Sequence, residues 1–370
     1  MRLCTLALLS LITACATEGE RGTPFEGLDN GIGGDAGDEG TDGGSGGSGF
    51  DDGHDDGHAD DGHDDGGPGD ADDGPHNTDD PADDDDGEDD ADDSDGPPVD
   101  DNCYAEPLYP SEDVSDIVNA YGGGQYKAQV IEAMERRWPA GAYLLQYQIN
   151  DSYWGQFSDS NSWSGMVNWL DTLVHEETHL FNAYHAIDVG ELAALYFRED
   201  KILYLPNDQG FARSEILSEL IPEAQAGIYA GTYLTGSQGD RAFNPLLDEA
   251  AAYVNEVPGL SVFGEYFPGQ GLSLRDGAAA FLYYIEVYLR VGRTNHPDWY
   301  DWAKTQPVYV EAVELLWLRT HFFYEQVADD YPSLGISDDM YRQAAYQQEN
   351  LDELEMFTGK RFEASSCWIE

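Results

Sequence analysis

From about residue 103 onward, apolar positions recur three and four apart over long stretches, the period of helices with one buried face. "SEDVSDIVNAY" and "QYKAQVIEAMERRW" carry that period on either side of the breaker Gly122-Gly123-Gly124. From Ser162 to His185 it runs through Met166, Trp169, Leu170, Leu173 and Val174. "GAYLLQYQI" (141–149) reads as a strand, and "LAALYF" and "KILYLP", flanking "RED", predict a hairpin over 192–205. Helical patterns follow in "RSEILSELIPEAQAGIYAGTYL", "PLLDEAAAYVNEV" and "RDGAAAFLYYIEVYLRVG". Another runs from Asp298 to Ala328 with a break expected at Pro307, and a last one is "SDDMYRQAAYQQENLDELEMF". No internal repeat is visible. The pattern predicts an α+β fold, mainly α, with a small β element and a helical C-terminal lobe. Residues 103–370 suffice for one sizeable core or two lobes around a cleft.

Before residue 103 the periodicity is missing. The opening "MRLCTLALLSLITAC" has Arg2, an apolar run, and small residues ahead of Cys15. This is a signal-peptide pattern, too short to span a bilayer. Ile12-Thr13-Ala14-Cys15 resembles a bacterial lipobox, which implies a signal peptide over 1–14 and lipidation of Cys15. An ordinary signal peptide cleaved nearby, or an uncleaved anchor, is the alternative. Residues 15–102 are almost entirely Asp, Gly, Pro, Ala and Ser. Too few apolar groups and too much like charge predict a disordered tether, with a reach on the order of 50 Å. Its Asp-Gly runs complete no calcium-binding loop, and His54, His58 and His63 read as part of a solvated spacer.

The formal net charge is −57, and residues 103–370 hold 41 acidic and 15 basic residues, a net of −26. So acidic a body excludes nucleic acid and anionic membrane surfaces as expected partners. With Cys4 in the signal and Cys15 at the lipobox, Cys103 and Cys367 remain at the two edges of the folded part. In an exported protein they predict one disulfide, two free thiols being the alternative. The expected location is the bacterial cell envelope, lipid-anchored. Ala16, rather than Asp, after the acylated cysteine leans toward the outer membrane or cell surface.

One stretch carries chemistry. In "LVHEETHLFNAYH" (173–185), His175 and His179 are four apart, which places both imidazoles on one helical face. Glu176 is offset by about 100° around the helix, where its carboxylate meets a water rather than the ion. Zinc would bring the pKa of such a water toward neutrality, and the glutamate would take its proton and pass it to the leaving group. A helix with two histidines by chance, or a metal site without chemistry, are the bland alternatives.

His175-Glu176-Glu177-Thr178-His179 resembles the active-site helix of the zincin metallopeptidases, which hold zinc with both histidines and a third ligand. The resemblance covers that helix and one later helix. His185, ten residues after His175, fits the metzincin spacing, with Asn182 at the position of its turn glycine. No methionine follows until Met340, however, so the metzincin Met-turn is missing. The gluzincin pattern, with a glutamate from a later helix, implies Glu249 in "LLDEAAAY" as third ligand. His185 is the alternative, and Glu215, Glu219 and Glu223 are rival carboxylates. Asp248 is expected to accept from a ligand imidazole. Tyr253, one turn beyond Glu249, is expected to bond a developing oxyanion or to orient Glu249, unless it is simply core. His321 and His296 read as a packed and a loop residue.

The expected function is zinc-dependent hydrolysis of extracytoplasmic proteins or peptides, with Zn2+ as cofactor and the hairpin edge open to an extended peptide. The competing expectation is a non-enzymatic surface lipoprotein, a scaffold or binding module with an inert metal site.

Overall fold

The computed structural model describes residues 102–267 and 273–369. Residues 1–101, where a signal peptide, a lipidated Cys15 and a tether are expected, lie outside the described residues. Within them, the longer helices are α1 (Tyr126–Arg137), α2 (Pro139–Tyr147), α3 (Leu170–Val189), α4 (Phe243–Ser261), α5 (Leu274–Asn295), α6 (Pro297–Lys304), α7 (Pro307–Gln326), α8 (Asp338–Ala345) and α9 (Gln348–Thr358). Strands β1 (Ala193–Arg198) and β2 (Lys201–Leu205) form an antiparallel hairpin in which Ala194 faces Tyr204 and Tyr196 faces Ile202. Strands β3 (Arg361–Phe362) and β4 (Trp368–Ile369) form a second antiparallel pair. The fold is therefore mainly helical with a small β element. Among the described residues no helix is long and apolar enough to cross a membrane.

Four local expectations need correction. The stretch 141–149 is not a strand: residues 141–147 belong to α2 and 148–149 to the turn after it. Leu144 and Leu145 are both fully buried, and Pro139 sits in the first turn where its missing N–H costs nothing. Tyr143 and Tyr147, one turn apart, both meet the Phe181 ring of α3, with centroids 6.1 and 4.6 Å away. The stretch 213–234 is not one helix but a 3-10 segment (Arg213–Glu219) and short helices at Pro222–Gln225 and Ile228–Tyr233. Pro222 and Gly227 interrupt it, and the buried Arg213 is tied to the backbone and side-chain oxygens of Gln238, at 2.8 and 2.5 Å.

The run from Ser162 likewise divides, into Trp163–Val167, capped by the Ser162 hydroxyl, and α3. The last predicted helix splits into α8 and α9 around Tyr346-Gln347. The break at Pro307 falls where expected, with Pro307 in the first turn of α7.

Two buried apolar clusters flank the α3–α4 pair. One gathers α1, α2 and most of the apolar face of α3, and the other gathers the hairpin, α4, α5 and the later helices. α3 and α4 pack along much of their length. Ala250, Ala251 and Ala252 on α4 are buried, and Gly259 meets Val174, so the two backbones approach closely. The seam between the clusters is where the chemical residues lie.

Behind that seam is a buried polar network. Arg319 on α7 is fully buried; its Nε donates to Glu106 at 2.9 Å and its guanidinium also reaches Asn255 at 2.5 Å. Asn255 in turn donates to the Thr178 hydroxyl at 3.1 Å, and Trp138 donates to Glu106 at 2.8 Å. Glu106 stands three residues from Cys103, whose sulfur is 1.98 Å from that of Cys367. This bond joins the two edges of the folded body, supported by Tyr104 N–H to Ser366 at 2.8 Å.

Candidate metal centre

α3 presents His175, Glu176 and His179 on neighbouring faces, and every one of them is largely buried. The helix does not turn at Asn182, as the metzincin spacing would require. It continues to Val189 and ends at Gly190, whose φ of 81° suits a residue without a Cβ. His185 is thereby carried about 9 Å along the axis from His179. There its Nε2 bonds the Tyr204 hydroxyl at 2.8 Å, and its ring stacks on Phe181 at 5.0 Å.

α4 supplies the opposing groups. His175, His179 and Glu249 bring one ligand atom each within 4.8 Å of one another. The two Nε2 atoms are 3.3 Å apart, and Glu249 Oε2 lies 3.4 Å from that of His179 and 3.9 Å from that of His175. On the far side of each ring a carboxylate takes the Nδ1 proton. His179 Nδ1 lies 2.8 Å from Asp248 Oδ2, and His175 Nδ1 lies 3.0 Å from Glu256 Oε2. These contacts select the Nδ1–H tautomer for both rings, so each Nε2 turns a lone pair toward Glu249.

Glu249 itself is fully buried, and neither of its oxygens accepts a hydrogen bond. Two imidazole nitrogens and one carboxylate oxygen thus converge on one point, an arrangement that a cation would satisfy. Two imidazoles and one carboxylate are a donor set suited to zinc, though also to other first-row divalent ions. Protonation fits the same picture. Burial, with His179 beside it, holds the His175 pKa down to about 3, so its imidazole is neutral. Burial opposes the ionisation of Glu249, but a protonated imidazole facing it, together with the Arg213 guanidinium, outweighs burial and brings its pKa to about 2, the charge balance that a cation in place of that proton would also give.

The structure gives two residues supporting roles that the sequence does not show, Glu256 and, in place of a turn residue, Asn182. Glu256 follows Glu249 by seven positions, on the same face of α4, a helical spacing that was available as a signal. Asn182 donates to Asp248 Oδ1 at 2.7 Å and accepts from the Tyr196 N–H at 2.8 Å. It therefore aligns the partner of His179 and closes that point of the β1 edge. Tyr253 is buried; its ring edge meets the His175 ring at 4.5 Å and its hydroxyl bonds that of Tyr233 at 2.8 Å. Gly277 on α5 leaves room for that ring, since a Cβ there would collide with it.

The remaining candidates lie elsewhere. Glu215 pairs with His296 at 2.9 Å, and the His321 ring packs on Trp317 at 4.8 Å. Among the described residues, Glu219 and Glu223 are exposed and take no part in the cluster. A cavity of about 330 Å3 opens beside the centre, with Glu176, His179 and Asp248 in its wall. Compared with known proteins, the chain matches no family model, no curated protein and no solved structure.

Proposed function

We propose that this protein is a zinc-dependent metallopeptidase of gluzincin-like type. The observation that carries the reading is the orphaned carboxylate of Glu249, facing two imidazoles whose outer nitrogens are each held by a carboxylate. His175, His179 and Glu249 would hold the ion, with Asp248 and Glu256 fixing the rings. Bound there, zinc supplies a Lewis acid that polarises a scissile carbonyl and acidifies water.

The chain's own residues do the rest. Glu176 stands in the cavity wall next to His179, where an attacking water and a substrate carbonyl both have access. As general base it takes the proton of that water, and as general acid it returns the proton to the leaving amine. Tyr253 acts on His175 through its ring, as a positioning residue. The cavity excludes bulk water from one side of the centre and receives part of the substrate. Anchoring by a lipidated Cys15 in the cell envelope, through the tether, would confine this activity to extracytoplasmic proteins and peptides.

The test is Glu176→Gln. Zinc content, measured by mass spectrometry of the intact protein, should stay at the wild-type level while cleavage of a mixed peptide library falls by about 10^2 to 10^4. A Gln variant that cleaves as fast as wild type removes Glu176 from the chemistry. A wild type that binds zinc but cleaves nothing favours the non-enzymatic reading.

A further inference from the structure

The cavity beside the centre has a chemical character of its own. It lies between the C-terminal half of α3, the start of β1 and the first turns of α4. An engineered apolar cavity of about 150 Å3 accepts benzene. At about 330 Å3, this one has room for a leucine, phenylalanine or tryptophan side chain. Leu195 and Leu205 belong to its buried wall. Its lining also includes Ile187, 56% exposed, and Leu192, 72% exposed. Tyr184, Val189 and Tyr204 on the same stretch of chain are exposed as well. Five of the ten large exposed apolar side chains among the described residues fall at 184–204, as at a surface that a ligand covers.

The charge around the cavity has one sign. Glu176, Glu191 and Asp248 line it, and among the described residues no lysine or arginine does. Asp188 follows Ile187 on the last turn of α3 and is exposed. The body that surrounds it carries a net −26. An acidic peptide would meet repulsion on approach, whereas a basic one would be steered in.

We propose that this cavity recognises cationic amphipathic peptides. One bulky apolar side chain fills it, and lysine or arginine residues flanking that side chain face the carboxylates at its mouth. Recognition stands on the cavity itself, whereas cleavage after binding rests on the peptidase reading, whose substrate class the proposal narrows. Ile187 and Leu192 cover the apolar side chain, and Glu191 supplies the charge at the mouth, with Asp188, which accepts from the Tyr147 hydroxyl at 2.6 Å, adding to the field from outside the lining.

Binding is measured with the full-length Glu176→Gln protein and three labelled peptides of equal length, followed by fluorescence anisotropy. One has a central Phe flanked by Lys, one a central Phe flanked by Glu, and one a central Gly flanked by Lys. The Lys-flanked Phe peptide should bind at least about tenfold more tightly than either other at about 50 mM salt. Its lead over the Glu-flanked peptide should shrink at about 500 mM salt. Glu191→Lys and Leu192→Asp, at exposed positions that leave the core intact, should each weaken its binding. Equal affinities for the three peptides, or no effect of either substitution, overturn the proposal. Cleavage of the same peptides by the wild-type protein is read separately. Selective binding without cleavage would sink the peptidase reading and leave the recognition site standing. Cleavage without selectivity does the reverse.

Discussion

Each imidazole of the centre is clamped between two carboxyl groups with different tasks. Asp248 and Glu256 take the Nδ1 protons, and Glu249 faces the Nε2 atoms. Replacing Asp248 with Asn or Glu256 with Gln leaves the ligand atoms in place but loosens ring orientation and basicity. Zinc affinity, by competition with a chromogenic chelator, should drop about 10- to 100-fold in each variant. His185→Ala should leave that affinity unchanged, because its ring is spent on Tyr204 and Phe181. A large loss in the His185 variant would instead support the metzincin arrangement.

α3 and α4 were both legible in the sequence because their apolar positions keep one period for many turns. The candidate ligands are legible for the same reason, since 175 and 179 on one helix and 249 on the other must fall on defined faces. What periodicity does not encode is which helix lies opposite which, so Glu256 and Asn182 became visible only with α4 docked on α3. Segment 141–149 misled because Leu, Tyr and Ile suit strands in isolation, and packing against Phe181 decides for helix. The stretch 213–234 misled because Arg213 has its partner at Gln238, a pairing no local pattern reveals. α5 touches the site through Gly277, which lies against the Tyr253 ring. Gly277→Ala drives a methyl into the Tyr253 ring and through it onto His175. It should cost about 1 to 3 kcal/mol of stability in denaturant unfolding and lower zinc affinity as well. An Ala variant as stable and as avid as wild type would show that the ring has room to move.

Across the folded body, one disulfide and a few buried charges join parts of the chain that lie far apart in sequence. Arg319 and Glu106 are both fully or nearly fully buried, so Arg319→Met alone leaves an uncompensated carboxylate. It should destabilise by about 3 to 5 kcal/mol, with part of the loss recovered in the double variant that also carries Glu106→Gln. Glu286 on α5 poses the opposite case, a fully buried carboxyl whose oxygens have no hydrogen-bond partner. Burial raises its pKa well above the ordinary 4.5, against the pull of Arg290, so the folded protein keeps it protonated. Above pH 4.5 the unfolded chain releases that proton while the folded chain does not. Stability therefore falls as pH rises, by up to about 1.4 kcal/mol per pH unit, until the raised value is reached. Glu286→Leu should remove that slope, so its gain in unfolding free energy is larger at about pH 8 than at about pH 5. Equal gains at both would mean that Glu286 is ionised in the folded state.

All of this converges on whether the α3–α4 seam holds a metal, and the direct measurement is anomalous diffraction at the zinc edge from crystals of the folded body grown with zinc. One ion is predicted, about 2.0 to 2.2 Å from His175 Nε2, His179 Nε2 and a Glu249 oxygen. A seam without an ion, or an ion held by His185 in place of Glu249, would contradict it.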